Sequence, residues 1–177
     1  MPFEDKENLS DLKTFTDAVY FNDDVHLFGK IFGDLTFSEP VTLENSGTVQ
    51  QLFEKVVVKE TDVLSGTLDI NIYEGSLIKF NTNASGNFAF NFEGNINVSM
   101  PNKKSLTITI LCPMGSTAYV INSSDQVKID GVSYTVKWIG SSSPSSGFTN
   151  SINAYTFVLI KNAESDFTIL GSLSRFG

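Results

Sequence analysis

A chain of 177 residues is long enough for one medium domain with a genuine buried core, plus an arm or stalk. Its 12 basic and 20 acidic residues give a formal net charge of −8, which argues against a nucleic-acid partner, for which a basic footprint is expected. One cysteine excludes an intrachain disulfide framework, one His and one Cys cannot furnish a zinc site, and no apolar run approaches the ~20 residues of a membrane-spanning helix.

The first segment, 1–18, is polar and acidic and lacks the apolar stretch of a secretory signal, so a soluble chain made in a cytoplasm is expected. Its apolar positions are Phe3, Leu9, Leu12 and Phe15. Leu9, Leu12 and Phe15 fit one face of a short helix; an extended arm docking on a partner fits equally, as does a frayed terminus. In the next segment, 19–54, Asp24-Val25-His26-Leu27, Gly33-Asp34-Leu35-Thr36-Phe37 and Pro40-Val41-Thr42-Leu43 alternate apolar with polar residues. Strands this short bury too little to stand alone, but become sensible where several chains wind about a common axis. Val25, Leu27, Phe28, Ile31, Phe32, Leu35 and Phe37 are then the candidate oligomer interface; two ordinary hairpins are the alternative.

From 55 to 177 the pattern is steady. VVVKETDVL, GTLDINIYEG, SLIKFNTNASGNFAFNFEG, SLTITILC, TAYVIN, VKIDGVSYTVKWIG, YTFVLIK and DFTILGSLSRF are strand-length runs rich in Thr, Val, Ile, Phe and Tyr. The 15 Phe residues supply apolar area with no polar atom to satisfy, which suits a core or a subunit interface. Asp130-Gly131 is a strong two-residue hairpin signal, and Ser85-Gly86-Asn87 and Glu93-Gly94-Asn95 read similarly. The expected class is all-β: an antiparallel sandwich or jelly-roll-like head carrying a short N-terminal arm and β stalk.

Chemistry-bearing residues are sparse. His26 stands alone in an alternating segment with no nucleophile signature beside it. Asp69, Glu74 and Glu93 are the carboxylates to weigh for glycoside hydrolysis, but their spacing carries no information. Asn22-Asp23-Asp24 and Glu60-Thr61-Asp62 offer oxygen ligands for calcium, and Asx-rich turns explain both more cheaply. Gly-rich phosphate loops are absent from the sequence. Cys112 ends an apolar run and reads as a buried structural thiol. Trp138 reads as a core or interface anchor, with a sugar-stacking platform as the alternative. Beside it, Ser142, Ser143 and Ser145 lie in a small, adaptable loop. No catalysis and no cofactor are expected.

The C-terminal third resembles a module found in structural proteins of tailed bacteriophages that infect marine cyanobacteria and related hosts. The likeness rests on Thr117-Ala118-Tyr119, Val127 to Val132, Lys137-Trp138, Pro144 to Gly147, Ser151 to Tyr155, and Phe167 to Leu170. It spans Thr117 to Gly171, with a looser likeness in strand rhythm back to Leu68. The rhythm from Gly29 to Leu43 also resembles stalk repeats of trimeric phage fibres. The resemblance implies a non-enzymatic virion protein, assembled in the host cytoplasm and self-associating as a homotrimer. Phe3, Leu9, Leu12 and Phe15 would dock on other tail or capsid proteins. With almost no shaft, a tail-fibre component, a capsid decoration or cement protein, and a module binding host surface glycans all remain open.

Overall fold

Alternation of apolar and polar residues at period two builds ten strands in residues 54–122 and 127–177, the residues that the computed structural model describes. These residues belong to one unit, Val49–Gly177. The candidate docking residues Phe3, Leu9, Leu12 and Phe15, the candidate interface residues from Val25 to Phe37, His26 and Asn22-Asp23-Asp24 lie outside the described residues.

In chain order the strands are β1 Val56–Lys59, β2 Gly66–Asn71, β3 Leu77–Phe80, β4 Phe88–Glu93, β5 Lys104–Met114, β6 Val127–Ile129, β7 Val132–Tyr134, β8 Val136–Trp138, β9 Ser151–Ala163 and β10 Asp166–Phe176. A single helical turn, α1 Ile96–Ser99, precedes β5, and a 3-10 turn, Ile139–Ser141, follows β8. No helix among the described residues is long and apolar enough to cross a membrane.

The strands form two sheets, a six-stranded one in the order β1-β3-β5-β9-β10-β8 and a four-stranded one in the order β2-β4-β6-β7. Their buried faces share one core, so the class is all-β and sandwich-like. The expected antiparallel arrangement gives way to mixed sheets. Pairs β1–β3, β3–β5, β2–β4, β4–β6 and β8–β10 are parallel; β5–β9, β9–β10 and β6–β7 are antiparallel. Neither sheet is therefore the wholly antiparallel layer of a jelly roll.

The physical reason is the path of the chain. From β1 to β6 each successive strand enters the opposite sheet, so each returns beside the strand two earlier and runs the same way. Val56 pairs with Leu77 and Gly66 with Phe88, so these winds take 21 and 22 residues. Ser85-Gly86-Asn87 is accordingly a crossing between sheets, tied by the Ser85 N–H to the Leu64 carbonyl at 3.1 Å. Glu93-Gly94-Asn95 is likewise a departure from β4 toward α1. A Cβ on Gly94 would stand 2.9 Å from Ile72 and 3.0 Å from Tyr73, which explains the glycine without a hairpin.

Asp130-Gly131 does close a hairpin, β6–β7, with φ of 48° and 82°, the two left-handed residues of a type I′ turn. Thr117-Ala118-Tyr119 forms no strand; an isolated parallel bridge joins Ile121 to Phe88 just beyond it.

Phenylalanine dominates where the sheets meet. Phe88, Phe90 and Phe92 of β4 and Phe157 and Tyr155 of β9 are all 0% exposed. Phe90 lies edge-on to Phe157 at 5.9 Å and to Tyr155 at 6.1 Å, and Phe92 meets Phe157 at 5.6 Å. Central strands of the two sheets are thereby locked ring to ring. At one end of this core the buried Lys161 ammonium donates to the Met100 carbonyl at 2.7 Å and to that of Asn97, satisfying carbonyls that the short turn α1 leaves open.

Candidate functional site

The chain between β8 and β9 forms a surface loop whose floor is set by β8. This strand runs parallel to β10 with Trp138 opposite Gly171. A Cβ on Gly171 would come within 2.9 Å of the indole and 2.6 Å of Val136 Cγ1, so the glycine is what lets the ring lie against the sheet. Trp138 is 8% exposed and edge-on to Phe157 at 5.8 Å. It anchors the core. Its ring is committed to these neighbours rather than presented as an open stacking platform.

Beyond Trp138 the backbone reverses through Gly140 and Ser141, at φ of 78° and 69°. It then carries the polar run Ser142 to Ser146 and returns through Gly147 and Phe148. The return is pinned: Ser151 Oγ donates to the Phe148 carbonyl at 2.9 Å, and the Asn150 N–H to the Gly115 carbonyl at 2.8 Å. Gly147 sits so close to the Tyr119 carbonyl that a Cβ would be 2.3 Å from its oxygen. Phe148 is half-exposed, with the Arg175 guanidinium 5.6 Å above its ring centre.

Two hollows flank this loop. One, of about 320 Å³, is lined by Trp138, Ile139, Phe148 and Leu173 together with the serine run. The structure thus brings Trp138, Ser142, Ser143 and Ser145 around one depression, as their nearness in sequence suggests. The other, of about 350 Å³, places Asn87 and Asn122 across from Ser143, Pro144 and Ser145. The Ser143-Pro144-Ser145 ridge is therefore shared by both hollows. Neither is lined by an ionisable side chain. The arrangement offers hydroxyls and amides over an apolar floor, a chemistry of hydrogen bonding and packing rather than proton transfer. Sequence reasoning missed Asn87 and Asn122. They arrive from other crossings between sheets, and no local signal links them to the loop.

Of the remaining candidates the structure brings together Asp69 and Glu93, and leaves Glu74 with a different partner. Asp69 and Glu93 stand on the solvent side of β2 and β4, where both accept from Asn91 Nδ2, at 2.9 and 3.0 Å. Asn91 Oδ1 in turn accepts from the Gly131 N–H at 2.9 Å, so this group braces the β6–β7 turn. Glu74 pairs with Lys59 at 3.4 Å. Glu60 accepts from Asn81 at 2.6 Å, and the Asp62 main-chain carbonyl accepts from Thr82 at 2.5 Å. Among the described residues, no three or more His, Cys, Asp or Glu residues are grouped to hold a metal ion. Cys112 is buried, and burial pushes its thiol well above the usual range.

Compared with known proteins, the chain matches no protein-family model, no curated protein and no solved structure.

Proposed function

We propose that the chain is a non-enzymatic structural component of a tailed-phage virion. In this reading the arm at 1–18 docks on the particle, the segment around Val25 to Phe37 joins three copies, and 55–177 forms the outward head. The observation that carries it is where the residues of the phage-like motif stand. Val127, Ile129, Trp138, Tyr155, Phe167 and Ile169 are buried in one core, so the shared signature specifies a packing unit. Symmetric self-association is the usual way for such a unit to complete its buried surface.

The test is mass spectrometry of density-gradient-purified particles from cells producing the chain. The chain is expected in the particles at a fixed copy number divisible by three, and to be lost from them when 1–18 is deleted. Particles without the chain would overturn the reading. Immunogold labelling then separates a tail appendage from a capsid decoration. The stalk assignment has its own check: Leu35→Asp with Phe37→Asp is expected to lower the mass of the oligomer with an unchanged head circular dichroism spectrum. Retention of full mass in sedimentation would sink that assignment.

A second reading, glycan binding, is favoured by the shared serine ridge between the two hollows. Because Trp138 is a core residue, its removal would confound the test. Ser143→Trp fills both hollows and Phe148→Ala strips a half-exposed ring. Glycan-array signal abolished by both, at unchanged melting temperature, is the result this reading expects; signal unaffected by either rejects it.

A further inference from the structure

The two sheets present opposite kinds of outer face. On the four-stranded sheet the outward positions of β2 and β4 include Thr67, Asp69, Asn71 and Glu93, tied in part by the Asn91 network. On the six-stranded sheet the outward positions carry Val56, Val58, Leu111, Ile152, Val158 and Leu170, interspersed with Thr and Ser. Val56 and Val58 are each 42% exposed, Leu170 41% and Ile152 36%. Thr109 and Thr156 bond to each other on this face at 3.2 Å, using their hydroxyls within the sheet. Among these outward strand positions the charged groups are Lys79, Lys137 and, at the start of β10, Asp166, which accepts from Asn162 at 3.3 Å; Glu54 lines the hollow beside Leu77. Hollows of about 380 and 240 Å³ furrow the same face, beside Val158 and Leu170 and beside Leu77 and Thr107.

We infer that this outer face is a docking surface for a second copy of the chain. Two observations select that occupant. The first is charge. Residues 1–53 hold ten acidic and three basic residues, whereas 54–177 hold ten acidic and nine basic. Copies of a chain at −8 can therefore meet head beside head across a near-neutral body, through a face that carries few charges of either sign, with little of the repulsion that their arms would bring. The acidic arm itself is a poor occupant, since two lysines are the only cations the face offers it. The second is size. With strands ~4.8 Å apart and a rise of ~3.3 Å per residue, the face spans roughly 700 Å². That is close to the ~800 Å² per partner of a standard stable interface. The long strands β5, β9 and β10, of 11, 13 and 11 residues, supply most of it.

This inference does not rest on the virion reading. Its test uses the purified full chain, in which Cys112 is buried and so leaves an introduced thiol as the one that reports. Thr107 and Thr67 are both exposed in the protomer, one on each outer face. Thr107→Cys is expected to react with maleimide at least tenfold more slowly than Thr67→Cys. Adding Leu170→Glu, a half-exposed site beside Val158, is expected to bring the two rates together. Equal rates without Leu170→Glu would overturn the inference, including the case in which a different macromolecule covers the face. Slow labelling that persists with Leu170→Glu would overturn it too. Particles that contain the chain while its two thiols label equally would reject this surface and leave the virion reading standing.

Discussion

Phe90→Ala is expected to destabilise the head by about 4 kcal/mol, the middle of the range for removing a buried aromatic ring. Phe90 is 0% exposed and touches rings on both sides of the core: Phe88 at 5.4 Å and Phe92 at 6.5 Å along β4, Tyr155 and Phe157 on β9. Truncation therefore removes transfer energy and opens a cavity whose walls are held by two sheets. Against a typical total of about 5–15 kcal/mol, such a loss moves the urea midpoint substantially. Phe90→Leu keeps most of the volume and is expected to cost under about 1.5 kcal/mol. Equilibrium unfolding followed by Trp138 fluorescence reads both. A Phe90→Ala cost as small as that of Phe90→Leu would mean that β4 is not packed against β9.

Gly147→Ala is the second large effect, expected at about 3 kcal/mol. The added methyl would lie 2.3 Å from the Tyr119 carbonyl oxygen and 2.7 Å from Asn153 Nδ2. The first obstacle is backbone. The second is a side chain that is 0% exposed, with nowhere to swing. Gly131→Ala makes the informative contrast. No heavy atom lies within 4 Å of its added Cβ, and only the φ of 82° is unfavourable, so about 1 kcal/mol is expected. Equal costs at the two sites would show that the Gly147 turn yields freely and that the serine ridge is not held by Tyr119.

Much of the fold is legible locally, and the illegible part is non-local. Asp130-Gly131 could be read because a type I′ turn needs two left-handed residues and those two supply them. The role of Phe could be read because its side chain has no use for water. The pairing partners could not. Alternation says that GTLDIN and FAFNF are strands, but a parallel neighbour lies a full wind away, and Ser85-Gly86-Asn87 and Glu93-Gly94-Asn95 look like hairpin turns at close range. One signal was available: Ser65-Gly66 and Ser85-Gly86 recur 20 residues apart, each just ahead of an alternating run.

The candidate site divides the same way. Trp138 and the serines are neighbours in sequence and share a hollow, whereas the glycine that admits the indole is Gly171, on another strand. The apolar outer face left a trace in β9, where Ala154, Tyr155, Phe157, Val158, Leu159 and Ile160 make both sides of the strand apolar. Strands covered on both faces read that way.

Self-association is the claim on which the proposed role depends most. The most direct measurement is the molar mass of the purified full chain by sedimentation equilibrium across a wide concentration range. The expected result is one closed species of three times the 19.4 kDa chain mass. A mass of 19.4 kDa at every concentration would contradict both the trimer and the docking face.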